Sequence, residues 1–305
     1  MCPTYAACER ADRPPAAYHT PPITWYNSPM LEHTFLHLPG VGRATERLLW
    51  EQGVLTWRDA LRSSHHSLKW CRLADLRPGI EESLACLEAG DVSYFHRRLP
   101  AREQWRLFRD FADRAVCLDI ETTGLSYGPG LITMIGLYDG RRYQAFVRGQ
   151  NLHQFPEEIR RYALVITYNG QRFDLPFIQA EMGPVLEGLA HFDVMYALRR
   201  LGYRGGLKVV EQETGLARPS DLAGLNGYDA VLLWRLYQRG HRGALATMLR
   251  YNAEDVVGLL PLAGLAYNQL SMDFPFDAPS VPMPRRPFLN LLYDRELVES
   301  LRRGR

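Results

Sequence analysis

The chain has 305 residues, 46% hydrophobic and 23% charged, with a formal net charge of +2. That length suffices for one large domain and a small one, and the near-neutral balance excludes a global basic field, so nucleic-acid binding would rest on local patches. No apolar run reaches the roughly 18 residues of a membrane span and no signal-peptide core opens the chain, so no membrane association is expected and the protein is expected to be soluble and cytoplasmic.

The five cysteines, Cys2, Cys8, Cys71, Cys86 and Cys117, are scattered without a CxxC pair. That argues against a disulfide framework or a zinc site and for a reducing compartment. Lysine occurs only at Lys69 and Lys208. Arginine suits bidentate phosphate contacts, although a GC-rich genome gives the same bias.

In chain order, residues 1–28 are proline-rich and aperiodic and read as a flexible segment. Residues 29–92 read as helical, with turns at "LPGVG" and "LRPG". Residues 93–270 alternate strands and helices. "RAVCLDIETTGLS" and "LITMIGLYD" read as strands, and Asp139-Gly140 signals a hairpin into "RRYQAFVRG". "ALVITYN" is a fourth strand, a helix starts at "DLPFIQAEM", and "HFDVMYA" holds a short strand. Helices cover "GLKVVEQET", "YDAVLLWRLYQRG" and "GALATMLRYNAEDVVGLLPLAGLAYNQL". Residues 271–305 read as a proline-rich linker and a short basic helix. The order of elements predicts an α/β domain, its mixed sheet flanked by helices and edged by an antiparallel hairpin, beside a small all-α domain.

The first strand carries two acids within its apolar run. Alternation puts Asp119 and Glu121 on one face, Cα atoms about 6.5 Å apart. Two buried like charges are costly unless water or a cation reaches them. A solvated strand end, marked by Gly124, is the plain alternative. Asp174 opens a helix after "YNGQRF", where it reads equally as a helix cap. Met248, Asn252, Asp255, Leu259 and Leu262 share one stripe of the long helix. Asp255 is thus a carboxylate on a largely apolar face, or else a solvated acid on its flank. Tyr251 lies one turn before it. Four converging carboxylates describe a site for Mg²⁺ or Mn²⁺, and two such ions suit in-line phosphoryl displacement.

"LDIETTGL", "YNGQRFDLPFI" and "YNAED" resemble the three motifs of the DEDD exonucleases in their tyrosine subgroup, the DnaQ-like branch of the ribonuclease H-like fold. The wider wording over roughly 93–270, with "GGLKVVEQETG" and "WRLYQRG", resembles the YprB-type ribonuclease H-like domain. The resemblance implies a 3′–5′ exonuclease with two divalent cations, Mg²⁺ or Mn²⁺. In it Asp119 bridges both ions, Glu121 binds one near the 3′-hydroxyl, Asp174 holds the second through water, and Asp255 closes the first site. Tyr251 orients the attacking water, and Thr122, Asn169 and Phe173 contact substrate. Asp193 recurs in similar proteins, where a supporting or strand-end role is expected rather than metal ligation.

"LHLPGVGRATERLLWEQGV" resembles a helix-hairpin-helix element. In it Gly40 and Gly42 expose amides at a helix start that binds a nucleic-acid phosphate, with Arg43 and Arg47 adding charge. A protein-packing hairpin is the alternative. The basic clusters "HRRLPAREQWR", "RRLGYR", "RLYQRGHR" and "RRGR" read as solvated surface or, where aromatics interleave, as strand-stacking sites. The leading expectation is a metal-dependent nuclease acting on DNA or RNA at a 3′ end. An endonuclease on the same scaffold and a catalytically silent nucleic-acid-binding or scaffold protein are the rivals.

Overall fold

The structure is a computed structural model that describes residues 29–63, 67–68, 71–124, 130–218, 220–222 and 224–303. The proline-rich segment expected over 1–28 lies outside the described residues.

A 3₁₀ turn at Leu31–His33 precedes α1 (Arg43–Glu51) and α2 (Trp57–Arg62). Of the two helices a helix-hairpin-helix needs, the described residues show the second, α1; a single 3₁₀ turn stands where the first would be. Gly40 supplies the turn, with φ at +77°, where a side chain would be strained. Thr56 and Asp59 close a capping box on α2: each side chain accepts the other residue's backbone N–H. Strands β1 (Ser67–Leu68) and β2 (Cys71–Arg72), two residues each, pair antiparallel before α3 (Leu73–Glu88) and α4 (Val92–Arg98). The turn expected at "LRPG" is instead the interior of α3, with Pro78 inside the helix. Proline removes one N–H donor there, yet the helix continues, so the local breaker signal is overridden.

After a 3₁₀ stretch at Ala101–Leu107 come β3 (Ala115–Thr122), β4 (Ile132–Tyr138) and β5 (Tyr143–Val147). Then follow α5 (Phe155–Ile159), β6 (Leu164–Thr167), α6 (Asp174–Met182), β7 (Ala190–Asp193) and α7 (Val194–Arg200). The strand order is β5-β4-β3-β6-β7. The β3–β4–β5 meander is antiparallel, and β6 and β7 run parallel to β3. Helices α8 (Leu207–Glu213), α9 (Gly227–Gln238), α10 (Arg242–Ser271) and α11 (Arg295–Arg303) complete the chain. This is the expected α/β class, a mixed sheet flanked by helices with an antiparallel hairpin at one edge.

The period of two in β3 sorts its side chains to two cores. Val116, Leu118 and Ile120 pack with α5 and α6, through Phe155, Ile159, Phe177 and Ile178. Cys117 faces the other way, into a core shared with Ala253, Val256 and Val257 of α10. Asp119 and Glu121 follow Cys117 on that second face. Among the described residues no helix is long and apolar enough to cross a membrane.

The core under α10 runs without a break into the N-terminal helices. Leu31, Phe35, Trp50, Trp57 and Phe95 belong to the same buried cluster as Leu164, Phe192 and Tyr267. The C-terminal segment closes the seam: Phe274 lies 5.1 Å from Trp50 and 5.8 Å from Trp105, ring centre to ring centre. Asp110 fastens the start of the helical region, accepting the amides of Met30 and Leu31 at 2.9 and 2.7 Å. Each large aromatic left uncovered costs about 1.5–3 kcal/mol. Deleting residues 1–92 is therefore expected to lower Tm by 10 °C or more or to abolish cooperative unfolding in calorimetry. An unchanged transition would show that residues 93–303 keep a core of their own.

Candidate active site

The site is assembled where α10 crosses the middle of the sheet. In the β3–β4 register Asp119 stands opposite Gly136 and Glu121 opposite Met134, and the pairing slips between Glu121 and Thr122. Gly136 is needed for close approach: a Cβ built there would sit 1.8 Å from Asn252 Oδ1. Asn252 uses that space. Its Nδ2 donates to Asp119 Oδ2 at 2.9 Å and to Glu121 Oε1 at 3.4 Å, and its Oδ1 accepts from the Tyr143 hydroxyl at 2.9 Å. A turn further along α10 stands Asp255. Ligand oxygens of Asp119, Glu121 and Asp255 all lie within 4.8 Å of one another.

Asp174 joins this group from the first residue of α6, not as the side-chain cap the sequence also allowed. Its Oδ1 accepts the Ile120 amide at 3.0 Å. It lies outside the trio of converging oxygens but close enough for its charge to act on Asp119. Burial, then Asp174, Glu121 and Asp255, push the Asp119 carboxyl well above its ordinary range. Burial and Asp255 do the same to Glu121, against the Asn252 hydrogen bond. Burial pushes Asp174 up to about 7, against the hydrogen bond from Ile120. Tyr251 is 5% exposed, and burial with the nearby Asp255 and Glu121 keeps its hydroxyl protonated well beyond the usual range.

Two cations stand against this negative cluster. The Arg218 guanidinium pairs with Asp255, and its Nε donates to Glu211 at 2.7 Å. Lys208 Nζ is 3.2 Å from the Tyr251 hydroxyl, 4.6 Å from that ring's centre, and also bonded to the Leu225 carbonyl. Behind them charges alternate: Glu211 pairs with Arg286 at 2.9 Å, Arg286 with Glu254 at 2.7 Å, and Glu254 with Arg250 at 2.7 Å. Breaking one member of such a buried pair strands the other charge, at about 3–5 kcal/mol.

Sequence reasoning missed Asn252 as a ligand-orienting group, and it missed Gly136, Tyr143, Lys208, Glu211 and Arg218. A glycine inside a strand pattern was the one available signal, since it marks close backbone approach.

The loop after β6 is also built. Asn169 adopts φ of +66°, a left-handed conformation that asparagine tolerates. Asp193 holds that loop, accepting the amides of Asn169 at 2.8 Å and Gln171 at 3.1 Å while capping α7 through Met195. Among the predicted substrate contacts, Thr122 is buried, its hydroxyl donating to the Gly124 carbonyl at 2.5 Å. Phe173 packs on Phe177 at 5.0 Å. Gly40, Gly42, Arg43 and Arg47 belong to the N-terminal helical region and not to this cluster. Arg43 pairs with the buried Glu103, and Arg47 with Glu51 on the exposed face of α1.

Three carboxylates without sulfur or imidazole make a donor set that fits a hard divalent cation. A raised carboxyl pKa makes the folded state the tighter proton binder, so the metal-free protein loses stability as pH rises. For Asp174 the window runs from about 4 to about 7. In EDTA, the Tm of Asp174→Asn minus that of wild type should grow as pH rises through that window. A difference that stays flat from pH 4 to 8 would show that Asp174 is not held protonated.

A family model described as the RNase H superfamily matches residues 116–267. Comparison with curated proteins gives no match. Among solved structures, the family B DNA polymerase of the archaeon Pyrobaculum calidifontis is 16% identical over 50% of this chain, with a TM-score of 0.39. This chain spans 25% of that polymerase. NrnC of Brucella melitensis, solved with bound Mg²⁺, is 22% identical over 54% of this chain and 78% of its own, with a TM-score of 0.38. The EXO domain of Aedes aegypti Nibbler is 11% identical over 56% of this chain and 87% of its own, with a TM-score of 0.33. With its mixed five-stranded sheet and the acids of β3 and α10 inside the matched segment, residues 116–267 are a domain of the RNase H superfamily.

Proposed function

We propose that the protein is a metal-dependent nuclease that hydrolyses phosphodiester bonds of DNA or RNA from the 3′ end. The observation that carries this reading is the convergence of ligand oxygens of Asp119, Glu121 and Asp255 within 4.8 Å, with the Tyr251 hydroxyl close enough for their charges to act on it. The 3′–5′ direction and the use of two ions, Mg²⁺ or Mn²⁺, rest on the resemblance of the three motifs to the DEDD exonucleases. Bound divalent cations would neutralise the carboxylates and polarise the scissile phosphate and its attacking water.

The chain's own groups then divide the work. Asn252 fixes the orientation of Asp119 and Glu121, as supporting hydrogen bonds do around metal-binding carboxylates. Tyr251 orients the attacking water through its hydroxyl, the role that the resemblance to the tyrosine subgroup implies. Water adds to phosphorus, the bond from phosphorus to the 3′ oxygen breaks, and a nucleoside 5′-monophosphate leaves a strand with a new 3′-hydroxyl. Lys208, held beside Tyr251, supplies positive charge at the edge of the reacting phosphate.

One observation favours a second reading, a silent nucleic-acid-binding protein: Arg218 already sits on Asp255, where a cation would bind. Metal binding separates the two. Mn²⁺ should raise the Tm of the wild type, because it binds only the folded site, and less so that of Asp119→Asn. Asp119→Asn should abolish cleavage of end-labelled oligonucleotides, and EDTA should do the same to the wild type. Cleavage that survives EDTA, or no Mn²⁺ shift at all, overturns the nuclease reading.

Tyr251→Phe removes only the hydroxyl. Its kcat should fall about 10²-fold, in the range of other positioned catalytic groups, with KM little changed. A raised KM at unchanged kcat would make Tyr251 a binding residue.

A further inference from the structure

A cavity of about 710 Å³ opens between the N-terminal helical region and the β7 edge of the sheet. Arg43, Arg102 and Arg200 line one side, and Phe192 and Tyr196 line another. Its floor reaches Gln171 and Asp193, the residue and its anchor in the loop that leads to Asp174. The cavity is therefore next to the acidic site in the chain and in space, yet shares none of its carboxylates.

The charge balance of the wall is uneven. Glu103 is 1% exposed and is shared by four arginines: Arg43, Arg106 at 2.9 Å, Arg200 at 3.4 Å and Arg102 at 3.9 Å. Arg106 also pairs with Glu46 at 2.9 Å. Four guanidinium groups thus face two carboxylates within this network. Arg102 is the least engaged, its side chain 61% exposed. Glu46 and Glu103 stand behind the lining; Asp193, the one acid among the lining residues, has its oxygens occupied by the amides of Asn169, Gln171 and Met195. A surplus of guanidinium beside aromatic surface is chemistry for a phosphate and a base together. The volume falls within the usual range of small-molecule sites.

We infer that this cavity is a second binding site, one that takes a nucleotide unit, its phosphate on Arg102, Arg200 and Arg43 and its base against the half-buried Tyr196. The occupant is one unit of a bound strand or a free nucleotide; both present the same phosphate and ring. The inference deepens the nuclease reading and rests on it for the strand as source, but the pocket does not use the acidic cluster.

The test measures binding apart from cleavage. Labelled single-stranded DNA and RNA oligonucleotides are titrated by fluorescence anisotropy against the full chain carrying Asp119→Asn, in EDTA, across a salt series. Adding Arg102→Glu should weaken oligonucleotide binding tenfold or more and reduce the slope of log affinity against log salt by about 1. Adding Tyr196→Ala should weaken binding at every salt concentration without changing that slope. Equal Tm values for parent and variants exclude misfolding, and Arg102→Ala replaces Arg102→Glu if the charge reversal lowers Tm. A thermal shift by adenosine monophosphate that Arg102→Glu removes identifies a free nucleotide. Oligonucleotide weakening without such a shift identifies a strand unit. Unchanged affinity and slope for oligonucleotides, with no mononucleotide shift, overturns the pocket. Absence of metal-dependent cleavage by the otherwise wild-type chain, with the Arg102 effect intact, refutes the nuclease reading and leaves the pocket standing.

Discussion

Three carboxylates crowded on the buried face of a core strand and its crossing helix are the constraint that the rest of the architecture answers. Each alone would resist burial, and together they repel. The surrounding residues offset that cost at successive distances. Asn252 donates to Asp119 and Glu121, and it reaches them because Gly136 has no side chain. Arg218 sits on Asp255 and is itself balanced by Glu211. Glu211 is balanced by Arg286, and Arg286 by Glu254. Arg250, paired with Glu254 and with Asp221 at 3.6 Å, donates to the Leu289 carbonyl and so ties the C-terminal segment into the same network. Burial, and for Asp119 and Glu121 the neighbouring acids, still hold these carboxyls above their ordinary range. A divalent cation would favour the ionised carboxylates and so offset that cost.

The same principle operates at the seam between the helical region and the sheet. Glu46 and Glu103 are nearly sealed from water, and each is held by Arg106. Glu46 also accepts the amides of Phe35 and Leu36, at 2.7 and 3.2 Å, so one buried acid fixes the chain ahead of α1 and clamps it to the 3₁₀ stretch before β3. Asp110 repeats the device with Met30 and Leu31, and burial pushes its carboxyl up to about 6. The helical region is thereby bound to the sheet by polar anchors inside an apolar core. Arg43, a phosphate contact by the helix-hairpin-helix resemblance, pairs with Glu103 at this seam and lines the cavity between the two regions.

Elements with a strong local period were legible in the sequence. The β3 alternation and the α10 stripe placed Asp119, Glu121, Tyr251 and Asp255 on faces that the structure brings together. The helix at Asp174 was legible from its start signal, but its carboxylate binds the Ile120 amide rather than its own helix end. Local punctuation was less reliable. Pro78 reads as a breaker, yet lies inside α3, and Leu31–His33 reads as the start of a helix, yet closes after one 3₁₀ turn.

What the sequence determined by itself is whatever depends on period: which residues of one strand or one helix share a face, and that several such faces carry acids where apolar residues belong. A side chain's face follows from geometry over a few residues, so no partner need be known. What the tertiary structure alone decided is which elements meet across those faces. Gly136 opposes Asp119 because of the β3–β4 register, Asn252 enters because α10 crosses there, and Arg218 reaches Asp255 across 37 positions of chain. Those contacts depend on register and crossing, which are set by the burial of whole surfaces, and no local pattern in the residues concerned encodes them.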